Sequence, residues 1–362
     1  MLLSASVVGR AEGQDTFTGV ERIVAVGDVH GDFNQFVTIL RHAGVIDGKN
    51  RWIGGGTHLV QTGDILDRGP KSRAVMDLLI ALTPQAAKAG GRVHALIGNH
   101  EAMNVLGDLR YVSAEEYWAF KSPNAEKLRD RVFKVMADSS LKNDAASRER
   151  WEAEHPLGWV EHRLAFEGNG HYGTWIRGNN AAVKINDNLF LHGGIGPNYA
   201  GVPLAELNAK VRAALAPDAP ADKGNIAEDP EGPLWFRGLA TGDEVTLSAH
   251  LDSVLAAFGV SRLVIGHTVT AGAVMPRFGG KVLMIDVGLS ATYGGPAACL
   301  VIERGKRYAL HRGQQLEIPE SGDLLPYLRA AAALDPAPSR LTKLIEQLDP
   351  STTAAPPPTT SP

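Results

Sequence analysis

The chain has 362 residues, a formal net charge of -4, 44% apolar and 21% charged residues. These values describe a globular chain of one large or two smaller domains and argue against the basic footprint of a nucleic-acid-binding protein. No stretch approaches the roughly 18 apolar residues that a membrane-spanning helix needs.

In chain order, MLLSASVVGRAEGQ reads either as the end of an export signal or as a loose terminus, and residues 1–20 are expected to be flexible. The first reading places the protein in the periplasm or outside the cell, which we favour over the cytoplasm. From Arg22, a strand (RIVAVGD) leads to a helix that opens at Asp32 (FNQFVTILRHAG) and stops at Gly44. A strand (THLVQTGD), a helix over Ser72–Leu82 and a strand (RVHALIGN) follow. This βαβαβ order predicts a mixed or parallel sheet with right-handed crossovers. From about 108 to 179 strand runs vanish, and Trp118, Trp151, Trp159 and Trp175 fall among helically spaced apolar residues. A helical insertion with its own small core is expected there, placed to cap or wall a site. The strand pattern resumes with VKIND and NLFLHGG, then a helix over Leu204–Leu215, a Pro/Asp/Gly loop over Pro217–Gly232 and a helix over Ser248–Phe258. RLVIGHT, KVLMIDVG, ACLVIER and KRYALHR close the domain near residue 315, and the last three predict an antiparallel meander in a second sheet. Residues 316–350 are assigned to a helical extension and 351–362 to a disordered tail. The single cysteine, Cys299, lies in ACLVIER and is expected to be a buried, inert thiol.

Five apolar runs end in residues of metal-ligand type: Asp28 and His30, Asp64, Asn99 and His100, His192, and His267. Strand ends of open α/β sheets gather ligands outside their carboxyl edge. Convergence of two Asp, one Asn and four His there predicts a dinuclear metal centre. Asp28 and His30, one residue apart beside Gly27 and Gly31, can face one ion across a sharp turn. Asp64 has two oxygens to share and is read as the bridge. Asn99 offers a neutral oxygen. His100 is not needed as a ligand and is free to act as an acid, held by Asp67. Arg68 supplies a planar fork for phosphate, and Glu101 is expected to be structural. The mixed oxygen and imidazole set suits Mn, Fe, Zn or Co, and the lack of thiolate excludes a structural zinc. The other eight histidines are assigned to surface or core.

The motifs GDVHG, GDILDRG, GNHE and HGG, in that order, resemble the phosphoprotein phosphatase (PPP) family of metallophosphoesterases. EHRLAFEGNGHYGTWIR, LWFRG and VIGHT point to its Shewanella-like, calcineurin-like bacterial branch. The resemblance covers Arg22 to about Gly294 and implies an α/β fold, a four-layer αββα sandwich with a helical insertion. It implies two divalent metal ions (Mn, Fe or Zn, with manganese first in vitro), one held by Asp28, His30 and Asp64, the other by Asp64, Asn99, His192 and His267. It implies His100 as general acid assisted by Asp67, with Arg68, Arg237 and Asn99 binding substrate phosphate. The implied reaction is hydrolysis of a phosphate monoester on a phosphorylated protein or small molecule, by a hydroxide bridging the two metals, with no phosphoenzyme. The segment between GNHE and HGG is longer than in the eukaryotic serine/threonine enzymes, and the family's substrate-lip tyrosine has only a loose counterpart in Tyr293. A dinucleoside polyphosphate hydrolase or small-molecule phosphoesterase on the same metal core stays open as an alternative, as does a non-catalytic binding protein.

Overall fold

The computed structural model describes residues 14–136, 144–219 and 225–349. The export-signal reading of residues 1–13 and the expected tail at 351–362 fall outside the described residues. In chain order, β1 (Thr16–Phe17), β2 (Arg22–Val26), α1 (Phe33–His42), β3 (His58–Gln61), α2 (Ser72–Lys88) and β4 (Arg92–Ala95) come first. Among the described residues six helices follow without a strand between them: α3 (Asn99–Leu106), α4 (Ala114–Phe120), α5 (Ala125–Met136), α6 (Ala145–Glu154), α7 (Trp159–Phe166) and α8 (His171–Arg177). Next come β5 (Ala182–Ile185), β6 (Asn188–Leu191), α9 (Leu204–Ala214), α10 (Gly238–Thr241), α11 (Glu244–Phe258), β7 (Arg262–Ile265), β8 (Met275–Arg277) and β9 (Val282–Met284). The chain closes with β10 (Ala298–Glu303), β11 (Lys306–His311), β12 (Gln314–Glu317), α12 (Leu325–Ala332) and α13 (Arg340–Leu348).

Among the described residues two six-stranded sheets form, ordered β1-β5-β6-β7-β9-β8 and β12-β11-β10-β2-β3-β4, accompanied by the helices. Each sheet has a parallel trio, β2-β3-β4 at one edge of its sheet and β6-β7-β9 in the interior of the other. Apart from Arg22 at the start of β2 and Arg92 and Val93 at the start of β4, these strands are buried, which is why their sequences are largely apolar runs and not alternating ones. Register aligns their carboxyl ends. Val26 pairs with Gln61 and Gln61 with Ala95, while Leu191 pairs with Ile265 and Ile265 with Met284.

Several expectations change. KVLMIDVG does not join a closing meander: β9 pairs parallel with β7, whereas β10 crosses to the other sheet and lies antiparallel to β2. The meander is β10-β11-β12. The Gly-rich stretch between β9 and β10 lets the chain leave one sheet for the other. Within the supposedly loose first 20 residues, β1 pairs with β5, because Phe17 buries its ring against His58 and His94. Helix α11 starts earlier than expected because Asp243 caps it, accepting the Thr246 N–H at 2.8 Å. Helix α2 runs on to Lys88, with Ala86 buried.

The insertion's tryptophans flank its core: Trp175 packs against it part-buried, and Trp151 meets the buried Phe133. Trp118 is 61% exposed, and the buried cluster is Tyr117, Phe120, His162, Phe166, Tyr172 and Ile176. His162 is the odd member. Both ring nitrogens lack a hydrogen-bond partner among the described residues, and burial, then Arg163, pushes its pKa from 6.5 to about 3. The folded state therefore refuses a proton that the unfolded chain accepts. Stability is complete above pH ~6.5 and falls as pH drops toward 3. His162→Phe is expected to stabilise the protein by on the order of 2 kcal/mol more at pH 5 than at pH 8. Denaturant melts at both pH values check this, and an equal gain at both would refute it. Cys299 is fully buried in β10, and burial pushes its thiol up to about 12.

Candidate functional site

The aligned strand ends deliver their following residues to one cavity of about 160 Å³, lined among others by His30, Asp64, Arg68, Asn99, His100, Arg237 and His267. A larger concavity of about 750 Å³ beside Arg307, Tyr308 and Tyr327 lies elsewhere; Glu317, Glu320 and Asp323 line it, but no histidine does. The loop after β2 is zipped to the loop after β3. Val29 and His30 both donate N–H to the Asp64 carbonyl at 2.9 Å, and Gly31 donates to Ile65 at 2.8 Å. Five site residues hold left-handed backbone: His30 (φ 44°), Asp64 (55°), Asp67 (70°), Arg68 (66°) and His267 (65°). Such conformations cost energy in non-glycine residues and persist only where surrounding contacts impose them. Glu101 is one source of that imposition. Its carboxylate accepts N–H groups from Asp64 (2.7 Å), Ile65 (2.8 Å) and Gly98 (2.8 Å), a structural role. At Gly266 a Cβ would meet Asp28 Oδ1 at 2.4 Å, so any larger residue there would displace that carboxylate.

The donor atoms face one another. His192 Nδ1 donates to the Thr62 carbonyl at 2.9 Å, which leaves Nε2 as a lone pair. Around that lone pair stand Asn99 Oδ1 at 2.9 Å, His267 Nδ1 at 3.1 Å and Asp64 Oδ1 at 3.2 Å. His30 Nδ1 likewise donates to the Leu66 carbonyl at 2.9 Å, and its Nε2 lies 3.8 Å from Asp64 Oδ2. Burial lowers His30 to about 4, and burial with His192 lowers His267 to about 2, so both rings are neutral at physiological pH. Neutral imidazoles are the form that binds metal. In His30 and His192 a backbone carbonyl engages the other ring nitrogen, whereas His267 Nε2 has no hydrogen-bond partner among the described residues. Converging acceptors with no hydrogen between them repel each other unless a cation lies among them, so the donor set fits divalent ions. Ligand atoms within 4.8 Å of one another form two groups that share Asp64: Asp64, His192 and His267, and His30, Asp64 and His100.

Two details depart from the expected half-sites. Asp28 is outside the tight groups, its oxygens accepting the His267 N–H at 3.1 and 3.2 Å. Burial, then like charge on Asp286 and Asp64, raises its pKa well above the ordinary range. His100 stands in the group with His30 and Asp64 instead, with Nε2 at 3.7 Å from Asp64 Oδ2. Its Nδ1 lies 2.5 Å from Asp67 Oδ2, and Asp67 Oδ1 accepts from Asn104 at 2.9 Å. Burial lowers His100, but Asp64, the Asp67 hydrogen bond and Glu101 outweigh it, and its pKa is raised. At Asp64 burial acts upward and the rings of His192, His100 and His30 win, holding it well below the usual range.

Arg68 and Arg237 flank the cavity. Arg237 donates to the His267 carbonyl (2.6 Å) and to Thr268 Oγ1 (2.9 Å). Sequence reasoning missed four residues here. Asp286 lies two residues beyond β9 and is 1% exposed, and its Oδ2 has no hydrogen-bond partner among the described residues. Its signal was available, since VLMID is a sixth apolar run ending in a ligand-type residue. Tyr111 lines the cavity, as does Trp235 of LWFRG. Glu116 of α4 is fully buried beside Asp67, and burial, then the Asp67 charge, raises its pKa well above the ordinary range. Tyr111 and Glu116 carried no sequence signal, because only the path of the insertion brings them to the site. None of its four tryptophans lines the cavity.

Comparison with known proteins gives a consistent result. The family model described as calcineurin-like phosphoesterase matches residues 21–271. An uncharacterized Schizosaccharomyces pombe protein is 31% identical over 82% of each chain. Shewanella-like protein phosphatase 2 of Arabidopsis thaliana is 30% identical over 76% of this chain and 73% of its own. The crystal structure of a cold-active protein-tyrosine phosphatase from a psychrophilic Shewanella is 30% identical, with a TM-score of 0.64 over 84% of this chain and 82% of that one.

Proposed function

The chain belongs to the calcineurin-like phosphoesterase family and is a phosphoesterase hydrolase, and from that premise we propose that it hydrolyses phosphate monoesters at a dinuclear metal centre, with His100 as general acid. The observation that carries this reading is the meeting of Asp64, Asn99, His192 and His267 acceptors at 2.9–3.2 Å, beside a His100 fixed by Asp67. Asp64, Asn99, His192 and His267 would hold one cation. Asp28, His30 and Asp64 would hold the other. When bound, the pair supplies an activated water and positive charge opposite the phosphate oxygens.

The chain's own residues do the rest. Arg68 and Arg237 present guanidinium donors that orient the phosphate and stabilise charge spreading over its equatorial oxygens. Water forms the new bond to phosphorus as the ester P–O bond breaks. His100 Nε2 delivers its proton to the departing oxygen, and Asp67 holds the Nδ1–H so that the ring is aimed and its charge stabilised. The products are inorganic phosphate and a free hydroxyl compound.

A phosphotyrosine-bearing protein is the substrate we favour, supported by the name of the similar Shewanella enzyme. The test is a panel of phosphotyrosine peptide, phosphoserine peptide and diadenosine tetraphosphate, with the protein reconstituted in Mn, Fe or Zn. The expected result is fastest phosphate release from the phosphotyrosine peptide, with manganese giving full activity. Faster cleavage of diadenosine tetraphosphate than of either monoester would overturn the assignment.

A further inference from the structure

We propose that Tyr111, at the start of the helical insertion, is the positioning residue for Arg68, so that the insertion sets the geometry of the phosphate clamp. The inference rests on the reading of Arg68 as a phosphate ligand. Arg68 has left-handed backbone (φ 66°), so its own conformation is an unfavourable one that a neighbour must hold. That neighbour is Tyr111, whose carbonyl accepts the Arg68 N–H at 3.0 Å. The same residue supplies a ring face 4.7 Å from the Arg68 guanidinium carbon, and Tyr293 supplies another at 5.5 Å. The guanidinium thus lies between two tyrosines. Among the described residues no carboxylate pairs with Arg68, and its buried Nε has no hydrogen-bond partner.

This arrangement has a chemical logic. A carboxylate partner would fix an arginine but would occupy the N–H donors and cancel the charge that a phosphate needs. An aromatic face attracts the cation through its π-cloud and leaves every in-plane donor free. The stack therefore orients Arg68 without neutralising it. Two further contacts tie this arm to the acid pair. The Tyr111 ring lies 5.1 Å from the His100 ring, and Glu116, further along the arm, is buried beside Asp67. Arg68 and Asp67, adjacent in GDILDRG, are both backed by the arm that runs from α3 into α4.

The test is a double-mutant cycle on the manganese-loaded enzyme, read as kcat/KM for p-nitrophenyl phosphate and Ki for inorganic phosphate. Arg68→Ala alone checks the underlying reading: an unchanged Ki there means that Arg68 does not bind phosphate. Tyr111→Ala is expected to weaken phosphate inhibition by about tenfold, within the range of a partly desolvated cation–π contact. Tyr111→Leu, which keeps bulk but lacks a π face, should do the same, and Tyr111→Phe should restore most of the affinity. In the Arg68→Ala background, Tyr111→Ala should add little, because a residue acting through Arg68 has nothing left to act on. If the two losses multiply, or if Tyr111→Leu behaves as wild type, Tyr111 does not position Arg68. Manganese content measured on each variant separates these effects from loss of metal.

Discussion

His100→Asn is expected to lower turnover of phenyl phosphate by about two to four orders of magnitude, the range for a general acid, while p-nitrophenyl phosphate loses far less. The reason is the leaving group. Phenoxide needs a proton as it departs, whereas p-nitrophenoxide is stable enough to leave with little help. The geometry specifies which nitrogen carries that proton. His100 Nδ1 is engaged by Asp67 at 2.5 Å, and the carboxylate is itself held by Asn104 at 2.9 Å, so only Nε2 points into the cavity. The same atom lies 3.7 Å from Asp64 Oδ2, which makes His100 a geometrically competent metal ligand as well. Metal analysis separates the two roles. Retained manganese with a leaving-group-dependent loss identifies the acid. Loss of one equivalent of metal, with both substrates failing equally, identifies a ligand and ends the general-acid assignment.

Asp64→Asn is expected to abolish both activities and to weaken metal binding by more than about a hundredfold, beyond the effect of losing an outer-sphere partner. Each Asp64 oxygen serves a different side of the site. Oδ1 faces His192 Nε2 at 3.2 Å and accepts the His100 N–H at 3.0 Å, while Oδ2 faces His30 and His100 at 3.8 and 3.7 Å. An asparagine keeps one oxygen and turns two N–H donors toward the other side, where a cation would be repelled. The fold should survive, because the backbone of Asp64 is anchored through Glu101 and through its own carbonyl. Mass-spectrometric metal counting and far-ultraviolet circular dichroism on the variant check both statements. Two equivalents of metal bound at wild-type affinity would show that Asp64 does not bridge.

The ligand-bearing residues were legible because buried parallel strands demand apolar runs, and each polar terminus then stands out. Asp28, Asp64, Asn99, His192 and His267 all carry that mark. Asp286 carries it too and was passed over, since KVLMIDVG was assigned to the wrong sheet. Nothing local distinguishes a strand that continues a parallel trio from one that opens a meander. The difference lies in which edge is free when the chain arrives, and the pairing of β9 with β7 settled it.

What the sequence determined by itself was the chemistry: the kinds of donor atoms and their placement at strand ends. Local composition dictates these, because strand burial and turn geometry depend on near neighbours. Tertiary structure decided the company those residues keep. It brought Asp286 beside Asp28, placed His100 close enough to Asp64 to compete with Asp28, and folded the insertion so that Tyr111 and Glu116, not its tryptophans, back the site. Contacts between segments far apart in the chain arise from packing of whole layers, and no pattern within a short window records them.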